Sequence, residues 1–82
     1  DFDVKCEPYI IEMPPNAEVP AHFFIHKGEE MGYLLSGELE FKLKGALHKI
    51  GPGDVVYLTV DLPTLWRNPG QKEAKLLWMK IR

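Results

Sequence analysis

The chain has 82 residues, of which 45% are hydrophobic and 27% charged, and carries a formal net charge of −2. That length allows a single domain over residues 1–82 with a small core, which pairing with a second copy would help to stabilise. The charge balance excludes a general attraction to nucleic-acid phosphates or an anionic membrane surface. The apolar runs fall well short of a membrane span. Cys6 is the single cysteine, so no internal disulfide can form and a reducing, cytoplasmic setting is the expectation. The sequence opens on Asp1 rather than Met and reads as a fragment or a processed chain.

Period-two patterning runs through the chain. Residues 9–13 read as a strand with Tyr9, Ile11 and Met13 on one side and Glu12 on the other. Pro14-Pro15-Asn16 ends it, because proline has no donor for a ladder. Residues 22–26 form a second β-rich run before the turn residues Lys27-Gly28, and residues 31–35 a third before Ser36-Gly37. The clearest strand is 38–44. Leu39, Phe41 and Leu43 share one face, while Glu38, Glu40, Lys42 and Lys44 form a charged face expected to be solvated and to discourage edge pairing. Gly45-Ala46 is expected to close a hairpin, with His48 facing solvent in the strand that follows. Gly51-Pro52-Gly53-Asp54 is a tight turn, 55–59 a strand, Asn68-Pro69-Gly70 a further turn and 76–81 the last strand. No segment carries a helical apolar stripe, so the fold class is all-β, a sandwich or barrel of short strands.

The densest set of candidate ligands is His22, His26, Glu29 and Glu30. On an extended strand His22, Phe24 and His26 point the same way, and Glu30, beyond the Lys27-Gly28-Glu29 bend, can return toward His26. An imidazole and a carboxylate suit zinc, manganese, iron or nickel, although such sites normally use more than two protein ligands. The blander reading of His26 and Glu30 is a hydrogen-bonded pair in a barrel mouth. Thr64, Trp66 and Asn68 share parity and can face one cavity, which Phe24 and Trp66 either narrow or fill as core. Glu29 reads as a solvated turn carboxylate. Tyr33 and Leu35 fall on the face opposite Glu30, Gly32 and Leu34, where a dimer partner would cover them.

Residues 26–40 resemble the first cupin motif, in which His-x-His is followed after three or four residues by Glu and six residues later by Gly. Here Glu30 follows His26 after three residues and Gly37 follows Glu30 after six. The stretch from Gly45 through Gly51-Pro52-Gly53-Asp54 to Pro63-Thr64-Leu65-Trp66-Arg67-Asn68 resembles the second. Together they extend over roughly residues 13–82, and the resemblance implies a small double-stranded β-helix, the jelly-roll or cupin barrel. Two of the family's four metal ligands are matched, at His26 and Glu30. Its first histidine falls at Phe24 and its last at Thr64, and His22 lies about 7 Å along the strand from position 24.

His26-Lys27-Gly28-Glu29-Glu30 and Trp66-Arg67-Asn68-Pro69-Gly70 further resemble the C-terminal sensor domains of bacterial helix-turn-helix transcription regulators, and small free-standing cupins share this wording. That resemblance implies a homodimer with a small-molecule effector in a pocket of His22, Phe24, His26, Glu30, Thr64 and Trp66. It implies no catalytic residue, at most an incomplete divalent-metal site at His26 and Glu30, and contact with DNA only through a domain outside this chain. The alternative is a small metal-dependent cupin enzyme, a dioxygenase or isomerase. Phe24 and Thr64 oppose it, because such chemistry needs a firmly held metal with an open position. A third reading is a structural or storage-like domain that binds nothing specific.

Overall fold

Alternation of apolar and polar residues over short segments, punctuated by proline and glycine, folds this chain into strands and turns. The structure, a computed structural model, describes residues 6–20 and 29–81. The expected strand at 22–26 lies outside the described residues. Eight strands are formed: β1 (Cys6–Met13), β2 (Glu18–Val19), β3 (Glu29–Ser36), β4 (Leu39–Leu43), β5 (Ala46–Ile50), β6 (Val55–Leu58), β7 (Leu65–Arg67) and β8 (Ala74–Ile81). They make two antiparallel sheets, the first ordered β1-β8-β3-β6 and the second β2-β7-β4-β5. Among the described residues no helix is long and apolar enough to cross a membrane.

The pairing is nested around the β4–β5 hairpin. β4 pairs β5, β3 pairs β6, β2 pairs β7 and β1 pairs β8, with successive pairs falling in alternate sheets. A long hairpin wound on itself in this way is a jelly roll. The winding starts one residue earlier than the sequence implied. Lys44 and Gly45 occupy the turn with φ of 51° and 78°, and Ala46 already belongs to β5. A two-residue hairpin turn of the type that matches strand twist needs positive φ at both central positions, which glycine adopts freely and alanine resists.

The inner faces meet in one core. Leu34, Ala74, Leu76 and Trp78 from the first sheet and Leu39, Phe41 and Trp66 from the second are buried together. Residues of the same parity line this core because strand side chains alternate. One expectation is corrected here. Glu40 is 2% exposed rather than solvated. β4 runs between β7 and β5 rather than along an edge, and the Arg67 guanidinium, opposite Glu40 in the β4–β7 register, forms an ion pair with it. A buried carboxylate is tolerable only when paired in this way.

Asn68 closes one end of the barrel. Its Nδ2 donates to the carbonyls of Met13 (3.0 Å) and Lys72 (2.8 Å), and its Oδ1 accepts from the Gly70 backbone (2.9 Å). Its own backbone donates to Ala17 and accepts from Asn16. One side chain therefore joins the end of β1 to the connection between β7 and β8. Replacing Asn68 with alanine leaves buried carbonyls without a donor, which costs about 3 kcal/mol. A urea-denaturation midpoint lowered accordingly, at an unchanged slope, is the expected outcome for Asn68→Ala.

Candidate functional site

The inner face of β3 carries Glu30, Gly32 and Leu34, and that of β8 carries Leu76, Trp78 and Lys80. Register sets Gly32 opposite Trp78, and Glu30 opposite Lys80 on one side and Leu58 on the other. Gly32 gives the Trp78 ring room to lie against β3. A Cβ at position 32 would sit 2.5 Å from Trp78 Cζ3 and 2.6 Å from Cε3. Lying there, the indole reaches diagonally, and its Nε1–H donates to Glu30 Oε1 at 2.7 Å.

Glu30 is fully buried. Taking a carboxylate out of water is unfavourable unless donors or charges replace its hydration. The Trp78 N–H is one such donor. Half-buried Lys80, whose cross-strand position places it on the same face, adds positive charge to that end of the barrel.

A row of rings leads away from this pair. Trp78 meets Trp66 edge to face, with centroids 5.5 Å apart and planes at 89°. Trp66 packs on Phe41 at 4.9 Å, and Phe41 stacks on His48 at 5.1 Å with planes 22° apart. Trp66, Phe41 and His48 are direct cross-strand partners on β7, β4 and β5, so the register of the second sheet builds the row. Edge-to-face and offset contacts of this kind suit the ring quadrupoles. The row runs from an exposed imidazole to a buried carboxylate.

Of the residues singled out from the sequence, His22, Phe24 and His26 lie outside the described residues. Glu30 and Trp66 are buried and joined through Trp78. Thr64 is exposed, immediately before β7, with its backbone N–H donating to the Lys42 carbonyl at 3.0 Å. Asn68, which shares its parity, ties turns together as described above. Glu29 is the first residue of β3 rather than part of a turn. It faces outward and accepts a hydrogen bond from the Tyr57 hydroxyl, which raises the Tyr57 pKa above the ordinary phenol value.

His48 and Trp78 were not singled out as site residues by the sequence reading. His48 is exposed, as expected, but it stacks on the core-facing ring of Phe41. Placing the hairpin turn at Lys44-Gly45 would have revealed this, because that turn sets residue 41 opposite 48. Trp78 had a legible signal too, an indole in a β-rich run at core parity.

Among the described residues no three His, Cys, Asp or Glu side chains gather to hold a metal ion. Two open surface grooves flank the 68–70 turn, one beside Gly37, Glu38 and Lys72 and the other beside Asn16, Glu18 and Arg67. Both lie at the end of the barrel opposite Glu30.

A jelly roll that buries a carboxylate against an indole defines a small barrel domain. The chain belongs to the cupin family, whose profile, described as the cupin domain, matches residues 9–80. Solved structures share the fold. A Cupin 2 conserved barrel domain protein from Salinispora arenicola is 22% identical with a TM-score of 0.79, over 95% of this chain and 64% of its own length. This chain therefore spans less than two thirds of that protein. The cupin domain of an XRE family transcriptional regulator from Enterobacter cloacae is 27% identical with a TM-score of 0.73, over 92% of this chain and 79% of its own. A predicted oxalate decarboxylase from Thermotoga maritima is 29% identical with a TM-score of 0.78, over 94% and 67%. A search of the curated proteins finds no match.

The part played by Gly32 is open to direct measurement. Gly32→Ala must push the Trp78 ring off β3, and overpacking of this kind costs about 1–3 kcal/mol. Near-ultraviolet circular dichroism should lose the signal of the coupled indoles, while the far-ultraviolet strand signal persists.

Proposed function

We propose that this chain is a ligand-sensing cupin domain, the effector-binding part of a cytoplasmic helix-turn-helix transcription regulator. The observation that carries the reading is the fully buried Glu30, held by Trp78 at the inner end of a row of aromatic rings. Small-molecule sites are mostly apolar with a few fixed polar groups, and a buried carboxylate held by an indole N–H supplies such a group. His22, Phe24, His26, Glu30, Thr64 and Trp66 form the proposed pocket, with Glu30 and Trp66 supplying its deepest wall. The effector would act by binding one arrangement of the attached DNA-binding domains more tightly than another. The likeness to the Enterobacter cloacae regulator domain supports the regulatory part of this reading.

Cupins commonly bind metals, and the donor set here does not fit the four-ligand centre of the family. Phe24 offers no donor atom, and Thr64 is an exposed hydroxyl, a poor ligand for a divalent transition metal. His26 and Glu30 alone fall short of the three protein ligands that a catalytic zinc site uses. The reading is therefore a binding function rather than metal-assisted catalysis.

Two measurements test it. Tryptophan fluorescence, titrated with fractions of a small-molecule cell extract, should change saturably, and Glu30→Gln should weaken that response by roughly tenfold. A response that Glu30→Gln leaves intact would place the ligand elsewhere. The reading frame should continue upstream of Asp1 into a helix-turn-helix segment, and a start codon directly before Asp1 would overturn the regulator assignment.

The metal assignment has its own test. Introducing Phe24→His together with Thr64→His should raise zinc affinity by at least roughly tenfold, measured by competition with a chromogenic chelator. Unchanged affinity would show that positions 24 and 64 do not converge on Glu30.

A further inference from the structure

An edge strand presents backbone donors and acceptors that no neighbour takes up. The edges here are β1 and β6 in the first sheet and β2 and β5 in the second. β1 carries Pro8, which has no N–H, β2 has two residues and β6 has four. β5 differs. Its five residues, Ala46–Ile50, contain no proline, positions 46–49 are all exposed, and among the described residues only β4 pairs with it.

The ladder fixes what that edge offers. Lys42, opposite Leu47, turns its carbonyl toward β7, where it accepts from the Thr64 backbone at 3.0 Å. Lys42 and Leu47 are therefore a non-hydrogen-bonded pair, and the Leu47 N–H and C=O point away from β4. Alternation points those of Lys49 the same way. The turn at Lys44-Gly45 agrees, because a two-residue turn is flanked by a hydrogen-bonded pair, here Leu43 and Ala46. The side chains complete the edge. The cross-strand row of Trp66, Phe41 and His48 ends here, on an exposed imidazole stacked against Phe41. On the other face Leu47 is 50% exposed, and Lys49 lies across from Glu40, whose carboxylate is engaged by Arg67.

We propose that β5 is a docking edge for an extended segment of another protein, added antiparallel as a further strand of the second sheet. Along the added strand an acidic residue faces Lys49, an aromatic residue continues the ring row past His48, and an apolar residue covers Leu47. Main-chain bonds give such complexes their affinity, and alternate side chains their specificity. Charge favours an acidic segment over a second copy of this edge, since β5 would bring another lysine and no carboxylate. The interaction goes beyond the ligand reading and is independent of it, because β5 takes no part in the proposed pocket.

Fluorescence anisotropy of a labelled Thr-Glu-Phe-Leu-Thr peptide should rise saturably on titration with the 82-residue chain. Amide shift changes in nuclear magnetic resonance spectra should centre on residues 46–50. Exchanging the peptide's phenylalanine for alanine should weaken binding by roughly fivefold. Lys49→Pro removes an outward N–H and the ammonium but no β4–β5 bond. It should weaken binding by roughly tenfold or more while the strand signal in circular dichroism persists. Lys49→Glu leaves the backbone free to pair and should reverse the preference toward Thr-Lys-Phe-Leu-Thr. No saturable rise, shift changes centred away from β5, or an affinity indifferent to both Lys49 variants would overturn the proposal.

Discussion

The hydrogen bond from the Trp78 indole to the Glu30 carboxylate is the interaction on which the barrel interior depends. A carboxylate with no exposed surface must exchange its hydration for protein donors, and one such donor lies on the neighbouring strand. That requirement fixes much else. It needs Gly32 between them, because any side chain there would collide with the indole. It needs β3 and β8 in a register that sets Gly32 opposite Trp78. It also seats Trp78 where Trp66 can meet it edge to face, which joins the two sheets at the centre of the core. Polar satisfaction and aromatic packing are thus solved by the same side chain.

β3 and β8 have a second duty. Their inward residues include Glu30, Trp78 and Lys80, while Met31, Tyr33, Leu77 and Met79 look outward. Strand alternation makes the two sets inseparable, since a shift of one residue would exchange them. The two central strands of the first sheet are therefore committed on both faces, one to the interior and one to the apolar exterior. The second sheet differs. Its outer face carries Glu18, Arg67, Glu40 and Lys49 in one row, an alternation of charge suited to ion pairing.

The all-β class, the jelly roll and the cupin family were legible in the sequence for definite reasons. Leu39, Phe41 and Leu43 alternate cleanly, proline and glycine punctuate, and the spacing from His26 to Glu30 to Gly37 is that of the family's first motif. β2 and β7 were not legible as strands. Two and three residues are too few for period two to register, and both depend on neighbours that supply their ladders. Glu40 misled because a charged residue in an alternating strand normally faces water. Its partner Arg67 is far away in sequence and close only in the folded sheet.

At the site, residue chemistry singled out Glu30 and Trp66, and the structure joins them through Trp78. The sequence by itself determined which residues share a face in the longer strands, because alternation is a property of a single strand. Only the tertiary structure decided which inward residues meet. Cross-strand partners are chosen by register, and here register is set by a turn at Lys44-Gly45 around which the whole chain is wound. That winding brings Gly32 to Trp78 and Glu40 to Arg67, two contacts between segments that carry no local sign of one another.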